Sequence, residues 1–194
     1  MVSIDEIKRL REETDVSVTE CKKALIEARG DMEKAKEILR KWGQDLSGKR
    51  VEREAKQGII EAYIHPNKKV GVLVELRSES DFVARSEGFQ KLSHEICLQV
   101  AAMKPLFLKR EDIPQDFLDG ERKIYAEQVK DSGKPKKIID QIIENKLKKY
   151  TEEISLFTQP WIKDDTKTIK YLIDEFIVKT GENVVLRNFS RFEI

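Results

Sequence analysis

The sequence predicts an α+β fold: three short helices in residues 1–43, then a body with a small, about three-stranded antiparallel sheet. Three observations carry this. Apolar residues recur at helical spacing in three short blocks before residue 43. Two alternating runs, near residues 60 and 72, flank a turn-rich pentapeptide. The later apolar stripes are helical, apart from one strand-like run at the C-terminus. Few strands, joined first by a hairpin and interleaved with helices, give an α+β body rather than a doubly wound sheet.

Ser3 followed by Glu6 has the S-x-x-E form of a capping box. Ile4, Ile7 and Leu10 follow at three-residue spacing and are expected to stack on one face. Ser17 and Glu20 repeat the box, and Cys21, Ala24, Leu25 and Ala28 fall at i, i+3, i+4 and i+7. Gly30 suits a left-handed helix end and Asp31 the next N-cap. Ala35, Ile38, Leu39 and Trp42 form a third stripe, which Gly43 is expected to close. So small a unit is marginal alone, so it should dock on the main body or on a partner.

Residues 44–57 are polar (Gln44 to Arg50, then Glu52, Arg53 and Glu54) and read as a linker, helical in part. The body spans 58–194. Ile60, Ala62 and Ile64 alternate with Glu61 and Tyr63; Val70, Val72, Val74 and Leu76 alternate with Gly71, Leu73 and Glu75. His65-Pro66-Asn67-Lys68-Lys69 between them has turn composition, so the pair reads as an antiparallel hairpin. Phe89, Leu92, Ile96 and Val100 mark a helix ending before Pro105. Residues 105–120, with Pro105, Pro114 and Gly120, read as loop. Helices are expected from Glu121 to Lys130, from Pro135 to Tyr150 and from Thr168 to Lys179, with Gln159-Pro160-Trp161 as punctuation and Asn183–Phe189 as the third strand.

Composition narrows the function. The 194 residues are 39% hydrophobic and 38% charged, yet 37 basic residues nearly cancel 36 acidic ones. That balance argues against broad electrostatic capture of nucleic acid or of an anionic membrane. No apolar run approaches the roughly 20 residues of a membrane span, and the N-terminus has no apolar signal core. Two cysteines, Cys21 and Cys97, at no ligand spacing fit a reducing compartment, so a soluble cytoplasmic protein is expected. His65 and His94 are the only histidines, and neither lies in a zinc motif; phosphate-loop, dinucleotide and nucleophile-elbow motifs are missing too. No catalytic residue, cofactor or metal site is expected. Cys21, on an apolar stripe, reads as a buried structural thiol. The basic runs Lys134–Lys137 and Lys146–Lys149 read as a solvated helix face, with RNA contact as the alternative.

Two stretches say more. Leu10-Arg11-Glu12-Glu13-Thr14-Asp15 leads through Glu20 to Cys21-Lys22-Lys23-Ala24-Leu25, and Ser80-Asp81-Phe82-Val83-Ala84-Arg85 follows the hairpin. Together they closely resemble the elongation factor Ts family, the exchange factors of elongation factor Tu. Lys179-Thr180-Gly181-Glu182-Asn183, and Ser132-Gly133-Lys134-Pro135 with Lys148-Lys149-Tyr150, match further along. The motifs cover essentially the whole chain in the family's order. Asp15 stands where the family has glycine, Glu20 where it has aspartate and Ser80 where it has threonine. Long members carry two related core halves, whereas this chain has room for one, in which Ala62–His65 and Val70–Val74 resemble the second half and Asp81-Phe82 the first.

The resemblance implies a UBA-like N-terminal domain that docks on the GTPase domain of elongation factor Tu, with Arg11, Val18 and Thr19 facing it. It implies that Asp81 and Phe82, flanked by Val83, enter between two helices of that domain near the magnesium of the bound GDP. Thr180 and Gly181 would lie beside them, and His65 would face the partner's C-terminal barrel. Without the resemblance, Phe82 reads as a core residue at a strand-to-helix corner; with it, as a partner contact. A single core half also implies a homodimer paired through strand edges near the hairpin and the terminal strand, with a monomer making fewer contacts as the alternative. No direct contact with nucleic acid or membrane is expected.

Overall fold

The computed structural model describes residues 2–14, 16–50, 53–130, 132–133 and 135–194. Asp15, Glu52 and Lys134, drawn on above, lie outside the described residues. The chain forms two compact units, Met1–Cys97 with Tyr171–Ile194, and Leu98–Lys170.

The first unit opens with helices α1 (Ile4–Thr14), α2 (Val18–Glu27) and α3 (Met32–Arg50). The capping box on α1 is reciprocal: the Ser3 N–H donates to Glu6 Oε2 (2.7 Å) and the Glu6 N–H to Ser3 Oγ (3.1 Å). Ser17 caps α2 through the Glu20 N–H (3.4 Å), while the Glu20 carboxylate takes Lys23 (3.2 Å). Asp31 caps α3 through the Lys34 N–H (3.1 Å). Leu10, Val16, Cys21, Ala24, Leu25, Ala28, Ala35 and Leu39 form the helical core, which Val178 completes from far along the chain. The expected docking on the body is made by that valine.

Two expectations for this region need correction. Ile4 is 71% exposed. Residues spaced by three turn back about 60° per step on a helix of 3.6 residues per turn, so Ile4 ends about 120° from Leu10. Nor does Gly43 close α3, which runs on to Arg50. A mid-helix glycine costs only about 1 kcal/mol against alanine, and residues 44–50 hold no proline to stop the helix.

The main sheet has order β1-β2-β5 and is antiparallel throughout, with β1 Gln57–Ile64, β2 Val70–Ser78 and β5 Val184–Glu193. Val72, Val74, Leu76 and Leu186 are buried on its inner face. Between β2 and β5 lie the short α4 (Asp81–Ala84), α5 (Glu87–Met103), α6 (Gln115–Val129), α7 (Lys136–Ile154), a minor pair β3 (Pro160–Trp161) and β4 (Asp164–Thr168), and α8 (Ile169–Thr180). Phe89 of α5 meets Phe176 of α8, ring centroids 5.9 Å apart. Ile60, Ala62 and Ile64 share a face, as their alternation indicates, but it is the outer one. Register places Ile64 beside Gly71 and Phe192, and Ala62 beside Leu73 and Ser190. Ile60 is 72% and Phe192 69% exposed, with Ile64 and Leu73 also open to solvent.

In the second unit, α6 and α7 pair through Arg122 and Glu144 (2.9 Å) and through the Lys146 ammonium over the Tyr125 ring (5.4 Å). Residues 115–120, expected as loop, are the first turns of α6; Gly120 meets no neighbouring atom there, so its missing side chain leaves nothing unpacked. The β3–β4 pair was not expected. A buried knot holds it: Gln99 Nε2 donates to Gln159 Oε1 (3.1 Å) and to the Pro160 carbonyl (3.0 Å), while Gln99 Oε1 accepts from the Ile162 N–H (2.9 Å).

Candidate functional site

Where β2 ends, its pairing with β5 ends too, at Ser78 and Val184. Beyond that point two side-chain carboxylates take over from the ladder. Glu79 accepts from the Asn183 N–H (2.6 Å), and Glu182 accepts from the Ser80 N–H (2.9 Å) and from the Ser80 hydroxyl (2.6 Å). Each loop thus supplies one acid to the other loop's backbone, through charge-assisted bonds stronger than neutral ones. Ser78 Oγ donates to the Ser80 carbonyl (2.8 Å) from beneath.

Ser80 is the N-cap of α4. Its hydroxyl, which donates to Glu182, accepts from the Val83 N–H (3.3 Å), and Asp81 pairs with Arg85 (3.3 Å). Residues two apart on a helix lie about 200° apart around the axis. With Ala84 buried, Phe82 therefore points outward and is 85% exposed, with Asp81 and Val83 half-buried beside it. The alternative of Phe82 as a core residue does not hold in this fold. Across the staple, α8 ends with Thr180 Oγ1 donating to the Phe176 carbonyl (2.9 Å) and the Gly181 N–H to that of Ile177 (2.9 Å). Gly181 has φ +81°, where a side chain would be strained. The structure therefore brings Asp81, Phe82 and Val83 together with Thr180 and Gly181.

The other sequence-derived positions lie elsewhere on this unit. Arg11, in the last turn of α1, and Val18 and Thr19, which open α2, are all exposed. His65 sits at the hairpin turn. Since β2 is nine residues long, at about 3.4 Å per residue the turn lies roughly 27 Å from the Ser80 end. Tyr63 OH and His65 Nδ1 share a hydrogen bond (2.9 Å), Tyr63 packs edge-on against His94 (5.9 Å), and His94 Nδ1 lies 3.2 Å from Glu61 Oε1. Of the basic runs, Lys146 bonds Gln128 (2.8 Å) and Lys149 faces Glu153 (3.8 Å), so part of that face is occupied within the chain.

Two comparisons bear on this arrangement. The family model described as Elongation factor TS matches residues 5–194. The chain belongs to the elongation factor Ts family. It is 51% identical over 193 residues to elongation factor Ts of Thermotoga petrophila, covering 100% of this chain and 96% of that protein. It is 50% identical to that of Thermotoga maritima, with the same coverage, and 46% identical, again with the same coverage, to that of Caldanaerobacter subterraneus subsp. tengcongensis. The α+β fold with N-terminal helices and a three-stranded sheet is that of elongation factor Ts. Among the described residues, no group of three histidine, cysteine, aspartate or glutamate side chains could hold a metal ion, and no helix is long and apolar enough to cross a membrane.

Sequence reasoning gave Glu79 and Glu182 no role. The Ser80–Glu182 bonds span 102 positions, and only the register of β2 on β5 brings the two residues together. The Tyr63–His94–Glu61 surround of His65 was missed for the same reason: α5 has to be laid against β1 first.

Both thiols are buried. Burial, with the Glu61 charge as the lesser cause, pushes Cys97 up to about 12, and burial raises Cys21 as well. Both are protonated and inert at neutral pH. The native state holds the Cys97 proton to higher pH than the unfolded chain does. The resulting stability is complete below the ordinary thiol value of about 8.5 and is lost as pH rises toward about 12. Cys97→Ala, less stable overall, should therefore lose stability less steeply than the parent between about pH 9 and 11 in urea titrations, by up to about 1.4 kcal/mol per pH unit. Equal slopes would mean that Cys97 is not the titrating group.

Proposed function

We propose that this elongation factor Ts family member drives nucleotide exchange on elongation factor Tu by inserting Phe82 into the GTPase domain. The chain is a guanine-nucleotide exchange factor acting in translation elongation, and it makes and breaks no covalent bond. The observation that carries the mechanism is Phe82, 85% exposed on a capped, stapled turn. Large aromatics left open to water on rigid elements are the usual anchors of protein interfaces. Asp81 and Phe82 enter between two helices of the GTPase domain beside the GDP magnesium, with Val83, Thr180 and Gly181 packing around them. The N-terminal helices, which end at Arg50 rather than Gly43, act as a docking module through Arg11, Val18 and Thr19, and the body from β1 onward forms the core.

The energetics are those of linkage. A factor that binds the nucleotide-free form more tightly than the GDP form weakens GDP binding by the same ratio. Burying one phenylalanine is worth about 1.5–3 kcal/mol, so an arrangement open only in the nucleotide-free form gains roughly 10- to 150-fold from Phe82 alone.

The working unit of this proposal is a homodimer. It is supported by the outer sheet face, where Ile60, Ile64, Leu73 and Phe192 form an apolar surface on one side of a three-stranded sheet. The face, rather than the strand edges, is the surface with apolar area to bury. The roughly 27 Å between His65 and the Phe82 turn leaves a second subunit to present His65 to the C-terminal barrel. The compartment is the cytoplasm, in keeping with two unpaired buried thiols.

Stopped-flow release of fluorescent GDP from elongation factor Tu tests the reading. Addition of the chain should raise the off-rate by at least tenfold without hydrolysis, and an unchanged off-rate would defeat the proposal.

A further inference from the structure

We infer that Glu182 is a positioning residue for nucleotide exchange: through Ser80 it fixes the orientation of the Phe82 turn and makes that turn and the Thr180–Gly181 loop a single rigid element. The inference rests on the exchange role proposed above and adds a residue to which that reading assigned nothing.

Four features point to Glu182. Its carboxylate is bidentate on one residue, taking the Ser80 N–H (2.9 Å) and hydroxyl (2.6 Å). The hydroxyl it orients is the one that caps α4 through the Val83 N–H. With its proton committed to Glu182, Ser80 Oγ turns a lone pair toward the α4 N-terminus, so the carboxylate sets the cap and the cap sets the four-residue helix that carries Phe82. The Glu182 N–H in turn contacts Thr180 Oγ1 (3.4 Å), tying the acid to the loop at the end of α8. Finally, the neighbouring Glu79–Asn183 bond (2.6 Å), with Arg53 3.5 Å from Glu79, anchors the two loops to each other independently of Glu182. Losing Glu182 should therefore loosen the Phe82 turn without opening the fold.

The physical consequence concerns the bound state. A four-residue helix has too few backbone bonds to hold its own direction. An exposed aromatic on a loose turn must be ordered at the moment of binding, and that ordering opposes association. The Glu182–Ser80 link orders it beforehand, so its removal should slow exchange chiefly through Phe82.

The test is a mutant cycle on full-length protein, read by release of fluorescent GDP from elongation factor Tu. Glu182→Gln keeps the volume and removes the charge; it should lower the acceleration about five- to tenfold with a melting temperature within a few degrees of the parent. Ser80→Ala should give a similar loss, and the double variant should lose no more than either single one. In a Phe82→Ala background, Glu182→Gln should have little further effect. Amide hydrogen exchange should show faster opening at Ser80 in Glu182→Gln, with the Asn183 amide still protected by Glu79. A parent chain that accelerates release while Glu182→Gln retains full acceleration would overturn this inference alone. So would losses from Glu182→Gln and Phe82→Ala that simply multiply. A parent chain that fails to accelerate release would instead remove the exchange reading on which the inference stands.

Discussion

Phe82→Ala should slow GDP release from elongation factor Tu by roughly 30-fold or more, the equivalent of losing about 2 kcal/mol at an interface anchor. The fold should scarcely notice. A side chain 85% exposed gives up no core packing, and surface changes usually stay within about 0.5 kcal/mol. For a chain of this size that is a shift of about 2 °C or less. A buried phenylalanine would behave in the opposite way, losing about 3–5 kcal/mol of stability on truncation. Thermal melting and stopped-flow release on the same preparation separate the two. A variant that exchanges normally per folded molecule would leave the mechanism without its anchor.

The second large effect concerns the outer sheet face. Leu73→Asp should convert a dimer to a monomer of 22.6 kDa by light scattering at micromolar concentration. A two-fold interface carries every substitution twice. Two uncompensated charges, at about 3 kcal/mol each, raise the dissociation constant by roughly 10⁴. Because Leu73 is solvent-exposed within one chain, the protomer should remain folded, as circular dichroism would show. If the parent chain already scatters as a monomer with exchange intact, the dimer is not the working form.

Most of the architecture was legible because it is local. The capping box of α1, the hairpin turn and the stripes of α2, α5 and α8 are all read within a few residues. The errors have local causes too. Gly120 and Pro114 suggested a loop, yet proline suits the start of α6 and glycine is tolerated on its exposed side. β3 is two residues long and begins with proline, so no alternation announces it. Period-two patterning showed that Ile60, Ala62 and Ile64 share a face, but not which face would be covered, since that depends on where α5 and α8 pack. The site divides the same way. Asp81, Phe82, Thr180 and Gly181 were named as candidates through short motifs. Glu182 and Glu79 act across more than a hundred residues, and no short window contains such a pair.

The place of Val178 in the core of the N-terminal helices has a consequence for synthesis. A chain emerging from the ribosome at about 5–20 residues per second releases α1, α2 and α3 early, but their apolar interior stays unsealed until α8 follows. β5, the third strand of the sheet, comes later still. The first unit therefore cannot mature vectorially from its N-terminus; it closes only once α8 and β5 have been synthesised. A polypeptide cut short ahead of Tyr171 would display the Cys21–Leu25 stripe and the unpaired side of β2, the kinds of surface that chaperones and proteases recognise. Quality control can thus distinguish a chain that holds α8 from one interrupted before it by whether α8 has folded back onto the N-terminal helices.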